Sequence, residues 1–556
     1  MASYKSARTG GLAGVFILLI CLLAGCLGGN TAEEAANVVT GQASSHPNAA
    51  SGRSEHFDIS IGYWDIRELF EEPEKDAFLQ KIMKDFNITI HPVEVSWSDY
   101  QERYRIMAAT GQLPDISANN HVNTPVYEDW VKQGIIRPIP EELDNYPNVR
   151  QVMELSDVQY LKHNGRFYMI PRTSFIEDRN LYASNAALLV RKDWMDMLGI
   201  KDPENFDEFV EMLKAFTAGD PDGNGIDDTI GLSFNTRESM GKWVIMTIRP
   251  QFNTYTWVKD VDRYVPSWAA EGFIDVLVNM RRLYAEGVLY TDFATQSAYY
   301  GSEIFAKGKA GALEYQAAAS GLQQIADQWD QYHPDQRFSE HVKLLHVFPA
   351  ADGGLYHNTG TFYWSESYFS ANVEDAKMER VLELYDYLMS PDGLKHLKLG
   401  IEGQDFIWKE EKLLITRPKD EKTGKWTDIN SLYPSIRLFS PLAAWGGVSI
   451  EDFQLNDINL AYFDEDLVKM AKEEIEWNLK YAKPLPRPYE ILAMNTVKSK
   501  FSSDYIRQDV IKVMLSKDDP VKAWREVLDR YVEEGMDEAI EDVNTRAFET
   551  ASAKSQ

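Results

Sequence analysis

The chain has 556 residues, with 57 Lys and Arg against 86 Asp and Glu, and a formal net charge of −29. So acidic a surface repels phosphate backbones, which excludes nucleic acid as an expected partner, and it gives no reason to expect docking on anionic lipid. The length and a hydrophobic content of 44% fit a globular protein of two or more lobes rather than a disordered chain.

Residues 1–26 carry Lys5 and Arg8, an apolar run over 12–23 and no acidic residue, the layout of a secretion signal. The run is about a dozen residues, short of the roughly 20 that a helix needs to cross a bilayer. It ends in Leu23-Ala24-Gly25-Cys26, which resembles the lipobox of bacterial lipoproteins. The resemblance implies a signal peptide over 1–25, a lipid on Cys26 and anchoring at the extracytoplasmic face of the cell membrane. A diacylglycerol thioether supplies two buried chains, and stable anchoring takes two. The alternative is a soluble secreted protein cut at a small-residue site. The only other cysteine, Cys21, leaves with the signal, so the mature chain has no internal disulfide and depends on its core. Residues 27–55 are rich in Gly, Ala, Ser and Asn without apolar periodicity, as a flexible tether is. With the lipidated cysteine, the tether is placed at 26–56.

Apolar residues alternate through Phe57-Asp58-Ile59-Ser60-Ile61-Gly62-Tyr63, which predicts a strand with one buried face. Phe78, Ile82, Met83 and Phe86 follow at helical spacing, and Ile88-Thr89-Ile90 and Val93-Glu94-Val95 read as extended chain. Leu188-Leu189-Val190 is a further strand. A helix then starts at Asn205, with Glu208 placed as in a capping box and Phe209, Val210, Leu213 and Phe216 on its buried stripe. Strands alternate with helices to about residue 400, the pattern of an α/β protein. At the far end Asp519-Pro520 starts a helix with Val521, Trp524, Leu528 and Tyr531 on one face.

Several segments, in this order, resemble the extracellular solute-binding proteins of bacterial ABC importers, specifically the large carbohydrate-type lipoproteins of family 1. They are Ala109-Thr110-Gly111-Gln112-Leu113-Pro114-Asp115-Ile116, Leu189-Val190-Arg191-Lys192-Asp193-Trp194, Phe305-Ala306-Lys307-Gly308-Lys309-Ala310-Gly311, Ser390-Pro391-Asp392-Gly393 and Gly400-Ile401-Glu402-Gly403. The resemblance implies a two-lobed, periplasmic-binding-protein-like fold of type II, with hinge-linked lobes that close over a ligand, and C-terminal helices. The expected division is 57–172 with 310–370 in the N-terminal lobe, 173–309 with 371–500 in the C-terminal lobe, and helices over 501–556. The implied partners are a carbohydrate ligand, the permease subunits of an importer and the membrane through the lipid anchor, with the protein itself a monomer.

Asp220-Pro221-Asp222-Gly223-Asn224-Gly225-Ile226-Asp227-Asp228 places oxygen donors at alternate positions with glycines between them, as calcium prefers. The side chains of Asp220, Asp222, Asn224 and Asp228 and the carbonyl of Ile226 are the expected ligands of a structural ion. The twelfth position is Gly231 rather than the bidentate Glu of an EF-hand. The loop is similar to a calcium loop of some of these binding proteins, which often carries an acidic residue where this chain has Thr229. The alternative is an Asp/Asn-Gly turn without metal.

Sugars present apolar C–H faces and a rim of hydroxyls, so their sites join aromatic platforms to hydrogen-bonding side chains. Aromatic and polar residues beside strand ends are the candidates, because the cleft of an open α/β sheet lies there. They are Trp64, Asn119, Asn120, Arg172, Tyr315, Trp364 and Trp445. No H-E-x-x-H, G-x-S-x-G or phosphate-loop motif is present, so no catalytic residue is assigned and an enzyme is not expected. A secreted glycoside hydrolase, with two carboxylates in a cleft, is the main rival reading. A sensor or peptide receptor on the same fold is another.

Overall fold

A computed structural model describes residues 54–554 except 97–98, 122–124, 174–186, 236–247, 250–256, 291–299, 351, 358–361, 411, 420–425, 444–455, 486–490, 492–500 and 502. The secretion signal, Cys26, nearly all of the tether and Trp445 lie outside the described residues, which belong to one compact unit, Gly52–Gln556. No helix among them is long and apolar enough to cross a membrane.

In chain order the strands that concern the site are β1 (Phe57–Trp64), β2 (Ile88–Val95), β3 (Ile116–Asn119), β4 (Met169–Thr173), β5 (Ala187–Arg191), β6 (Ile230–Phe234), β7 (Trp257–Asp260), β8 (Arg263–Pro266), β9 (Ala310–Tyr315), β10 (Val342–Leu345), β11 (Tyr356–His357) and β12 (Tyr363–Phe369). Nine of them build two principal sheets, and β7, β8 and β11 belong to smaller two-stranded ones. The first has the order β2-β1-β3-β12-β4 and the second β10-β5-β9-β6. In the first, β1 is parallel to β2 and β3, while β12 runs antiparallel to β3 and β4. Pro92 is tolerated in β2 because that strand is at the sheet edge.

Local signals account for the element ends. Asp76 caps the helix Ala77–Phe86 by accepting from the Leu79 N–H at 2.8 Å. Asn205 caps Phe206–Ala218 by accepting from the Glu208 N–H at 3.0 Å, and Phe209, Val210, Leu213 and Phe216 are all fully buried. Asp519 caps Pro520–Glu533 through the Lys522 N–H at 2.8 Å. Such caps satisfy amide donors that have no partner inside the helix.

Each sheet has its own core. Ile59, Ile61, Ile116 and Ile170 join the core of the first, together with Leu382 and Tyr385 of Asp375–Met389 and Leu438 and Phe439 of Ile436–Ala443. The second sheet is apolar on both faces. Leu188 and Val190 of β5 enter one cluster and Leu189 another, as the two-residue side-chain period requires. Trp524 and Tyr531 of the C-terminal helices pack into the first of these clusters. The expected lobe division differs from this partition. Residues 310–315, expected with the first lobe, are β9 of the second sheet, and helices within 375–443, expected with the second, pack on the first core. The physical reason is that β9 pairs in parallel with β6, a long-range register that local periodicity does not encode.

Candidate ligand site

The carboxyl ends of β1, β3 and β4 and the amino end of β12 share one edge of the first sheet, because β12 runs against its two neighbours. Crevices at such strand ends are where open α/β sheets bind ligands. Trp64 is the last residue of β1, Asn119 the last of β3, and Arg172 and Thr173 are the last two of β4.

Four of the sequence candidates meet here. The Arg172 guanidinium carbon lies 4.9 Å from the centroid of the Trp64 ring. Its Nε donates to Ser365 Oγ at 2.9 Å and its Nη2 to the Asn119 carbonyl at 2.8 Å. The Asn119 side-chain oxygen accepts from the Asn120 N–H at 2.9 Å, which fixes the chain as it leaves β3. Arg172 and Asn119 are 0% exposed and Trp64 is 7% exposed. Arg172 and Asn119 therefore face protein and not an open cleft. Burial lowers its pKa, opposed by nearby Tyr63, Glu366, Tyr385 and Tyr104.

Tyr100, which the sequence reading missed, packs edge-on against Trp64 with ring centroids 5.4 Å apart. It opens the helix Tyr100–Ala109, just after Asp99, whose carboxylate accepts from the Ser96 N–H at 3.0 Å and hydroxyl at 2.6 Å. Half-buried Tyr100 lines a cavity of about 510 Å³ with Gln101, Arg105 and His121. His121 is buried beside Trp130, its backbone N–H donates to Glu366, and burial pushes its imidazole down to about 4, reinforced by the charge of Arg105. Tyr63, whose ring lies tilted against Trp64 with centroids 5.0 Å apart, is pushed up to about 12 by burial. A second cavity of about 590 Å³ runs along Ile436–Ala443, lined by Asn430, Ser431, Arg437 and Ser440. The only signal for Tyr100 in the sequence is a Ser-x-x-Asp turn just before an aromatic residue.

The remaining candidates are not joined to this cluster by any described contact. Tyr315 ends β9 of the second sheet, and its hydroxyl donates to Gln324 at 2.6 Å. Trp364 is in β12 with its side chain outside the described residues, and Trp445 is outside them altogether.

The 220–228 loop precedes β6 and is largely exposed. The Asp220 carboxylate accepts from the backbone N–H groups of Asn224 and Gly225, each at 3.1 Å, with Asp220 itself in the left-handed region at φ 47°. The Asn224 amide donates to Asp222 at 2.7 Å and Asp228 at 3.2 Å, and the Asn224 oxygen accepts from the Ile226 N–H at 2.6 Å. The Lys309 ammonium lies 2.5 Å from Asp228 and 3.5 Å from Asp222. That hydrogen bond, with a second from Asn224, holds the Asp228 carboxyl below its usual range. Thr229 is turned inward, donating to the Phe216 carbonyl at 2.8 Å, so its hydroxyl does not extend the donor set. The oxygen donors suit a hard cation, and two of the carboxylates share the Lys309 ammonium. Among the described residues, no group of three or more His, Cys, Asp and Glu side chains is drawn together as a metal site.

A profile described as bacterial extracellular solute-binding protein matches residues 71–395, more than half of the chain. The chain is 26% identical over 380 residues to the polygalacturonan/rhamnogalacturonan-binding protein YtcQ of Bacillus subtilis (strain 168), covering 66% of this chain and 71% of that one. It is 29% identical over 336 residues to lipoprotein LipO of the same organism, covering 57% of this chain and 62% of that one. Among solved structures, it is similar to the alginate-binding protein AlgQ2 without calcium ion, with a TM-score of 0.64 and 16% identity over 89% of this chain and 98% of that one. It is likewise similar to the S. pneumoniae ABC-transporter substrate binding protein FusA in complex with kestose, with a TM-score of 0.62 and 15% identity over 90% of this chain and 100% of that one. Likeness at that identity establishes the fold, which is the periplasmic-binding-protein-like fold. The chain belongs to the bacterial extracellular solute-binding protein family.

Proposed function

We propose that the protein captures a carbohydrate, an oligosaccharide in particular, outside the cytoplasmic membrane and delivers it to an ABC importer, binding without catalysis. The observation that carries this reading is the meeting of Trp64 with half-buried Tyr100 at the strand-end edge of the first sheet, where enclosed Asn119 holds half-buried Asn120, in a chain of this family. Aromatic rings suit the apolar face of a sugar and amides suit its hydroxyl rim. The names of YtcQ, a polygalacturonan/rhamnogalacturonan-binding protein, and of FusA, a fructooligosaccharide-binding one, support a carbohydrate. Tyr315, Trp364 and Trp445 are assigned to the same ligand from the other parts of the chain. Contacts made by both lobes exist only when they close, so ligand shifts the population toward the closed form that a permease reads.

In this reading the mature protein is a monomer held to the membrane by lipid on Cys26. Calcium is a structural ion bound by the side chains of Asp220, Asp222, Asn224 and Asp228 and the Ile226 carbonyl. The ion would supply charge neutralisation to crowded carboxylates and no chemistry. Support comes from the oxygen-donor set and from two similar structures, AlgQ2 without calcium ion and an EF-hand mutant of FusA.

The test is thermal unfolding of residues 27–556 against a panel of oligosaccharides, with and without calcium, followed by chromatography of any hit. A ligand at about 100 times its Kd adds about 2.7 kcal/mol to stability. A shift with one sugar recovered intact is expected. A cleaved sugar makes the protein an enzyme, and no shift across the panel removes the carbohydrate reading.

A further inference from the structure

We infer that Arg172 is a positioning residue that ties the sugar platform to the junction of the two lobes, and that it acts through Trp64 and Ser365 rather than by touching the ligand. This rests on the carbohydrate reading above. Its grounds are geometric. Arg172 is 0% exposed, stacks on Trp64, and donates to one residue of β3 and one of β12. The planar guanidinium spans these directions at once, which a lysine ammonium on a flexible stem does not reproduce.

Its partner Ser365 is unusual. It is 2% exposed and sits at φ 65°, in the left-handed region that a side chain with a Cβ rarely adopts. It lies where the β12–β4 register shifts between Tyr363 and Glu366. Strain of this kind persists only where the surroundings hold it, and here the Arg172–Ser365 hydrogen bond supplies part of that hold.

The neighbouring residue, Thr173, marks the junction. It pairs with Tyr363, and its hydroxyl donates to the Ala443 carbonyl at 3.4 Å. Two of these residues stand where the chain passes between the two cores, Thr173 before β5 and Tyr363 after β10, while Ala443 ends Ile436–Ala443 on the first core. Two passages therefore meet one residue from the Arg172 guanidinium. A ligand that presses on Trp64 presses on the same group that sets the bulge beside these passages.

Ser365→Gly, Ser365→Ala and Arg172→Lys test this. Glycine and alanine both remove the acceptor, but only glycine relaxes the left-handed backbone. Ser365→Gly is expected to melt above Ser365→Ala, yet both bind an oligogalacturonide or kestose more weakly than wild type by a similar factor, roughly tenfold. Arg172→Lys loses affinity likewise. If affinity follows melting temperature across the two serine variants, or Arg172→Lys binds as wild type does, the inference is overturned. Should the wild-type protein bind no sugar of the oligosaccharide panel, the carbohydrate reading fails separately. Hydrogen exchange of the sugar-free protein then decides the positioning role, since Ser365→Ala should speed exchange at 119–121 and 365–367 while distant strands are unchanged. Unchanged exchange in both segments overturns it.

Discussion

The Arg172 cluster and the 220–228 loop both gather charged and amide side chains, yet they hold together for different reasons. Arg172, Asn119, Ser365 and Glu366 are nearly or wholly excluded from solvent, so each polar atom there depends on the protein for its hydrogen bonds. In the loop, Asp222, Asp228 and Lys309 keep 19%, 35% and 39% of their side-chain surface in solvent, and water offsets much of what each ion pair contributes. The same residue chemistry is thus rigid in one place and adjustable in the other. Burial, rather than the number of charges, sets the strength.

The largest effect expected from this contrast is that of Arg172→Met, which removes the hydrogen bonds that Arg172 donates to Ser365 and Asn119 and takes the guanidinium charge away from buried Glu366. Urea unfolding should show a loss of about 3–5 kcal/mol. A loss under 1 kcal/mol would mean that the cluster is no more demanding than a surface pair.

Next comes pH. Because burial depresses His121 to about 4 from an ordinary 6.5, the unfolded chain takes up the proton first as pH falls. The contribution of His121 is therefore complete above about 6.5 and is lost as pH falls toward 4, by something on the order of 3 kcal/mol. Urea midpoints of wild type and His121→Leu should diverge across that window, and parallel profiles would refute a neutral buried imidazole.

The base of the loop region sharpens the comparison from the other side. A Cβ on Gly311, in β9, would collide with the ring of Phe216, the residue whose carbonyl Thr229 holds. Gly311→Ala should cost about 1–3 kcal/mol by overpacking, read by thermal melting. The smallest effect belongs to Lys309→Met, which removes an exposed ion-pair partner. It should cost about 0.2–1 kcal/mol without calcium and less as salt rises. If Lys309→Met costs more than Gly311→Ala at moderate salt, exposure is not what separates the two regions.

Much of the fold was legible because it is written in short-range physics. Alternation marked β1, and the side chains of Asn205 and Asp519 cap helices where their spacing said they would. Trp64, Asn119, Asn120 and Arg172 were chosen by the rule that sites lie at strand ends, and the fold brings them together. The direction in which each points was not legible. Arg172 was chosen as a ligand contact and is fully enclosed, while Tyr100 was passed over because an aromatic residue at a helix start looks like any other. Ser365 carried no signal at all, since a left-handed serine is imposed by the register of β12 on β4.

The sequence by itself determined the local elements, their caps, the oxygen-rich loop and the family, because these depend on residues within a few positions of one another or on ordered motifs. Only the tertiary structure decided which strands share a sheet, that β9 pairs with β6, and that Arg172, Trp64 and Ser365 meet beside Thr173. Those contacts join residues far apart in the chain, and they form only when two separate cores have buried their apolar faces.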